Sequence, residues 1–66
     1  MQIILNGREE DIADGLTAGE LIEGLGLGGR RIAIEVNREV VVRSTFSTHV
    51  LQAGDHVEII HAIGGG

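Results

Sequence analysis

Sixty-six residues allow one small domain, and the formal net charge of −5 at pH 7 sets the chain against polyanions. Cysteine and lysine are both absent, which removes disulfides, thiolate metal ligands, thiol nucleophiles and any ε-amine for an isopeptide bond or Schiff base. With Phe46 as the one aromatic residue there is no platform for base stacking, so nucleic acid is excluded as a partner and a basic protein surface is favoured.

No apolar run is long enough to span a bilayer, and the N-terminus lacks a basic region followed by a long apolar one. No membrane association and a cytoplasmic location are therefore expected. At this size, core burial rarely leaves more than roughly 3–5 kcal/mol of net stability.

Met1 to Asn6 alternates as a strand burying Met1, Ile3 and Leu5, and Asn6-Gly7 is a hairpin signal. The return strand, Arg8 to Ile12, is acidic and suits an exposed edge. Thr17-Ala18-Gly19-Glu20 then forms a capping box, with Leu16 and Leu21 as its hydrophobic staple. Ala18, Leu21, Ile22 and Leu25 share one helical face, Gly26 stands at the left-handed C-terminal cap, and Leu27 can pack on Ile22.

Arg31 to Val36 alternates with Ile32, Ile34 and Val36 inward, and Asn37-Arg38-Glu39 turns the chain into Val40-Val41-Val42. Ser44 to Leu51 is irregular, pinned by Phe46, Val50 and Leu51. After a turn at Gln52-Ala53-Gly54-Asp55, a last strand runs from Asp55 to Ile63. The order ββ-α-ββ-β predicts an α+β fold, with one helix covering one face of a mixed sheet.

A search for chemistry finds turns and caps in its place. Gly7, Gly24, Gly26, Gly28 and Gly29 match neither phosphate-loop pattern. His49, His56 and His61 have no helical metal-ligand spacing, so no metal site is expected. Ser44 and Ser47 have no orienting base, and Glu9, Glu10, Asp11 and Asp14 form a solvated charged edge. No catalytic constellation emerges, and the chain is not expected to be an enzyme on its own.

Two features remain. If Val57, Ile59, His61 and Ile63 face the helix, Ile60 points outward and can sit beside outward Ile4 and Ala33, giving a small apolar docking patch. The chain then ends in Gly64-Gly65-Gly66, which adds no burial and is costly to order. Three extended residues span roughly 10 Å, enough to carry the terminal carboxylate into a narrow channel of another protein. A frayed end or an expression scar is the simpler alternative.

The fragments Met1-Gln2-Ile3, Leu21-Ile22-Glu23-Gly24-Leu25, Ile34-Glu35-Val36-Asn37 followed by Glu39-Val40-Val41, Gly54-Asp55 followed by Val57-Glu58-Ile59-Ile60, and the terminal Gly-Gly stand in an order that resembles the ThiS family of thiamine-biosynthesis sulfur carriers. The resemblance covers nearly the whole chain. It implies a ubiquitin-like β-grasp domain over residues 1–63 with a flexible glycine tail at 64–66. The related carriers of the MoaD type also end in Gly-Gly, but are usually longer and tend to carry prolines before the tail, whereas this chain has none.

The resemblance further implies a mechanism. A ThiF-like adenylating enzyme, using ATP and Mg²⁺, would activate the Gly66 carboxylate; the carrier itself binds no cofactor. A persulfide sulfur donor would convert the adenylate to a thiocarboxylate, and a ThiG-like thiazole synthase would receive the sulfur. Gly65 and Gly66 match the family motif, and Gly64 is a further slim position. The docking assignment of Ile4, Ala33 and Ile60 is independent of the motif. A molybdopterin carrier, a ubiquitin-like protein modifier and an inert β-grasp binding module are the competing readings.

Overall fold

Asn6 and Gly7 stand at φ 49° and 84°, the left-handed pair that a two-residue hairpin turn of matching twist requires. They join β1 (Gln2–Leu5) to β2 (Arg8–Asp11) in antiparallel register, with Leu5 opposite Arg8 and Gln2 opposite Asp11. The computed structural model describes residues 1–61. Every residue of β2 is exposed, as its acidic sequence predicts for an edge that must not pair further.

The capping box is present in full. Glu20 N–H donates to Thr17 Oγ1 at 3.1 Å, and Thr17 N–H donates to Glu20 Oε1 at 2.9 Å. From this start α1 runs over Ala18–Gly24 and buries Ala18, Leu21 and Ile22. Gly26 ends it at φ 75°, with Gly26 N–H donating to the Glu23 carbonyl and Leu27 N–H to the Ile22 carbonyl, both at 3.0 Å. These are the two bonds of a Schellman cap, and they fold Leu27 back onto the core. Leu25, expected on the buried face, is 45% exposed because it already belongs to the cap rather than the helix.

β3 (Ile32–Val36) and β4 (Glu39–Val41) form a second hairpin. Its turn residues, Asn37 at φ 52° and Arg38 at φ 70°, are again both left-handed. A 3₁₀ turn at Arg43–Thr45 follows within the stretch expected to be irregular. Phe46 and Leu51 are buried beyond it, whereas Val50 is 46% exposed and holds the segment by a backbone bridge to Thr17.

The last strand, β5 (His56–His61), enters between β1 and β3, giving the sheet order β2-β1-β5-β3-β4. It is parallel to β1 and antiparallel to β3, so the sheet is mixed. Ile3, Ile34, Val36, Val57 and Ile59 face the helix and meet Ala18, Leu21, Ile22, Phe46 and Leu51 in one core. Met1, Leu5 and Ile32 are only half-buried at its margin. The expected continuation of β5 through Ala62 and Ile63, and the glycines at 64–66, lie outside the described residues.

Candidate functional site

The strand that leads to the terminal glycines is fixed on both flanks. On one side Asn6 N–H donates to the Val57 carbonyl at 2.9 Å, and Asn6 Oδ1 accepts the Ile59 N–H at 2.9 Å. On the other, Asn37 N–H donates to the His56 carbonyl at 2.7 Å, and Asn37 Oδ1 accepts the His56 N–H at 2.9 Å. Each hairpin turn thus extends its own strand's pairing onto β5 with an amide side chain. Small polar asparagine is also the residue that tolerates left-handed φ.

The start of β5 is held by Asp55, the single buried charged side chain among the described residues. Its Oδ1 accepts from Asn37 Nδ2 at 3.0 Å and its Oδ2 from the Gln52 N–H at 2.8 Å. The three residues Asn6, Asn37 and Asp55 are structural supports that the sequence shows only as turn formers.

Alternation along β5 buries Val57 and Ile59 and turns His56, Glu58 and Ile60 to the open face. Ala33 lies directly opposite Ile60, and Glu35 directly opposite Glu58. Ile60 is 46% exposed, as an outward position should be. Ile4 is half-buried and pairs with His56, four residues before Ile60. At about 3.3 Å per residue that places it roughly 13 Å along the strand. The structure therefore brings Ala33 and Ile60 together and sets Ile4 apart. Gly64, Gly65 and Gly66 lie beyond the described residues.

Val40 and Val42, 66% and 56% exposed, join this face, though the sequence pattern alone did not mark them. Val40 is opposite Glu35. Continuing that register past Val41 sets Val42 level with Ala33, so Val42, Ala33 and Ile60 form an apolar row near the end of β5. Arg31 and Arg43 complete a shallow depression of about 350 Å³ there, together with Ile32, Ala33 and Ile60. A second depression of about 350 Å³ at the other end of the face is lined by Glu35, Asn37, Arg38, His56 and Glu58.

Among the described residues no group of three or more histidines and carboxylates could hold a metal ion. No helix there is long and apolar enough to cross a membrane. The arrangement described is a presentation surface: a braced strand, a row of exposed apolar side chains, and charge around it.

Comparison with known proteins agrees with this architecture. Residues 3–66 match the ThiS family profile. The chain is 42% identical over all 66 residues to part of a thiazole synthase of Magnetococcus marinus, and 35% identical to part of one from Paramagnetospirillum magneticum. It spans only 20% of the length of each. It is 33% identical to the sulfur carrier protein ThiS of Escherichia coli, with both chains covered completely. The crystal structure of the thiamine biosynthesis protein ThiS from Geobacter metallireducens superposes with a TM-score of 0.86 at 30% identity, again over the whole of both chains. The ubiquitin-like β-grasp fold implied by the family resemblance is thus shared with these neighbours, and the chain belongs to the ThiS family.

Proposed function

We propose that this chain is a sulfur carrier in thiamine thiazole synthesis, not itself an enzyme, and that the chemistry takes place at the Gly66 carboxylate. A carboxylate is a poor electrophile, so a ThiF-like partner using ATP and Mg²⁺ first adenylates it, releasing pyrophosphate. The terminal sulfur of a protein persulfide then attacks the acyl carbon and AMP leaves. A thiol cleaves the resulting acyl disulfide, freeing the Gly66 thiocarboxylate and forming a new disulfide on the donor side. A ThiG-like thiazole synthase receives the sulfur, and the exchange takes place in the cytoplasm.

The observation that carries this reading is the family match running through Gly64 and Gly65 to residue 66, which follow in sequence, after Ala62 and Ile63, a strand braced on both flanks. The absence of cysteine supports it, because the sulfur then travels on the terminus rather than on a side chain. A thiazole synthase as recipient is supported by the two relatives of that name, in which the matching segment is 20% of the protein. Ala33 and Ile60 form the nearest apolar docking row, with Ile4 as a separate contact further along the face.

Incubation with a ThiF-like enzyme, ATP and a persulfide donor, followed by intact mass measurement, tests this. Exchange of one oxygen for sulfur is expected, and deletion of Gly66 abolishes pyrophosphate release while the fold survives. Isopeptide-linked products identify a protein modifier instead, and an unchanged mass identifies an inert module.

A further inference from the structure

The open sheet face changes sign along its length. Arg31 and Arg43 flank Ile60 at the end of β5, and the depression they line contains no acidic residue. Two residue pairs back along the strands, on the same face, Glu35 and Glu58 stand directly opposite each other. Among the described residues the only ion pairs are those of the Met1 ammonium, so no arginine there is engaged with a carboxylate. This is a cationic end on a chain whose net charge is −5.

Arg43 is held in place. Its Nη2 donates to the Arg30 carbonyl at 2.7 Å, and its guanidinium lies 5.7 Å from the centre of the Phe46 ring. A guanidinium carries five N–H donors, so most remain for a further acceptor. Arg31 is exposed, two positions before Ala33 on the same strand face. One held guanidinium and a second exposed one beside an apolar floor suit a planar carboxylate that is partly shielded from water.

Gly66 is the fifth residue after His61, a reach of at most about 18 Å when extended. With the tail extended into a channel, the arginines therefore stand at its mouth, and the nucleotide reacts at its far end. Resting on the carrier reading above, we infer that Arg31 and Arg43 receive an acidic side chain of the adenylating partner at the mouth of that channel. Glu35 and Glu58 repel the same acidic group from the other end of the face. The change of sign then sets the orientation in which the tail enters.

If the acidic carrier were drawn to a uniformly basic partner, Arg31→Glu would strengthen binding. If the end of β5 meets a carboxylate, Arg31→Glu weakens it. The experiment is steady-state pyrophosphate release by a ThiF-like enzyme with wild type, Arg31→Glu, Arg31→Gln and Arg31→Lys, each checked for folding by thermal melting.

The expected result is a KM raised at least tenfold by Arg31→Glu and severalfold by Arg31→Gln, with kcat unchanged and Arg31→Lys between wild type and Arg31→Gln, since an ammonium keeps the charge and loses the planar fork. A lower KM for Arg31→Glu overturns the inference. So does a fall in kcat at constant KM, which would place the arginine on the reacting nucleotide. Dimerisation of the free carrier that Arg31→Glu abolishes overturns it too, since a second copy would then cover the face. A wild-type chain that the enzyme does not turn over overturns the carrier reading, and this inference with it.

Discussion

The side chain of Asn6 accepts the backbone N–H of Ile59 at 2.9 Å, joining residues 53 positions apart. One residue thereby makes the first hairpin and secures the strand that leads to the tail. Asn37 does the same from the opposite flank, through His56. The symmetry has a physical basis. A left-handed turn residue with a short amide leaves its oxygen free to reach a neighbouring strand, and β5 is the strand between the two hairpins.

Substitution separates the two roles of Asn6. Asn6→Gly keeps the left-handed backbone and loses the bond to Ile59, at a cost of about 1 kcal/mol. Asn6→Ala loses both and should cost about 2–3 kcal/mol. Against the ~3–5 kcal/mol available to a domain of this size, the alanine variant is close to unfolding. Urea denaturation of the pair checks this, and equal midpoints would remove the conformational part of the argument.

Asp55 supports the same strand from the position just before its first residue. Truncation to alanine leaves the Gln52 N–H and the Asn37 amide without their acceptor in a part-buried site. The expected loss is about 2–3 kcal/mol, because a deprived buried donor costs more than an average hydrogen bond contributes. Asp55→Asn keeps one acceptor oxygen and should recover part of it. A double-mutant cycle with Asn37→Ala would show coupling between the two sites, whereas additive effects would mean that the Asn37–Asp55 bond contributes nothing.

Glu35 and Glu58 are directly opposite on β3 and β5. Like charges in that relation are destabilising, by roughly 0.2–1 kcal/mol for a cross-strand pair. Glu58→Gln should therefore raise the melting temperature at low salt, and the gain should shrink as salt screens the repulsion. An unchanged or lower melting temperature at low salt would mean that Arg38, which lines the same depression, already neutralises the pair.

Much of the fold was legible because its signals are local. Thr17 and Glu20, three apart, specify the helix start, Gly26 its end, and Asn6-Gly7 the first hairpin. The inward alternation of Val57 and Ile59 also appears correctly from period two. What escaped was set by pairing between distant residues. Ile4 and Ile60 both avoid the helix-facing core, but only the parallel register shows Ile4 against His56 rather than Ile60. The exposure of Val40 and Val42 follows from the register that sets them level with outward Glu35 and Ala33 while Val41 faces the core, and a run of three valines has no polar alternation to show it. The arginine pair beside Ile60 joins residues 31 and 43 through a turn whose geometry the sequence leaves open.

The N-terminus gives a pH dependence of unusual clarity. The Met1 ammonium donates to Asp14 Oδ1 at 3.2 Å and to the Ile12 carbonyl at 2.7 Å, with Asp11 Oδ1 at 3.4 Å. The Asp14 hydrogen bond raises its pKa above the ordinary 8.0, against a smaller opposing effect of desolvation. A group whose pKa is higher in the folded state stabilises fully below its unfolded pKa and loses that contribution as pH rises through the folded one. The effect is therefore complete below about pH 8 and fades at more alkaline pH. Cysteine, tyrosine and lysine are all absent, so no side chain titrates across that range to obscure it. The melting temperature should hold level from pH 7 to about pH 8 and then decline. Asp14→Asn should lower the plateau and flatten the decline, converging on wild type at high pH. Parallel curves for the two proteins would show that the ammonium–Asp14 contact does not contribute to stability.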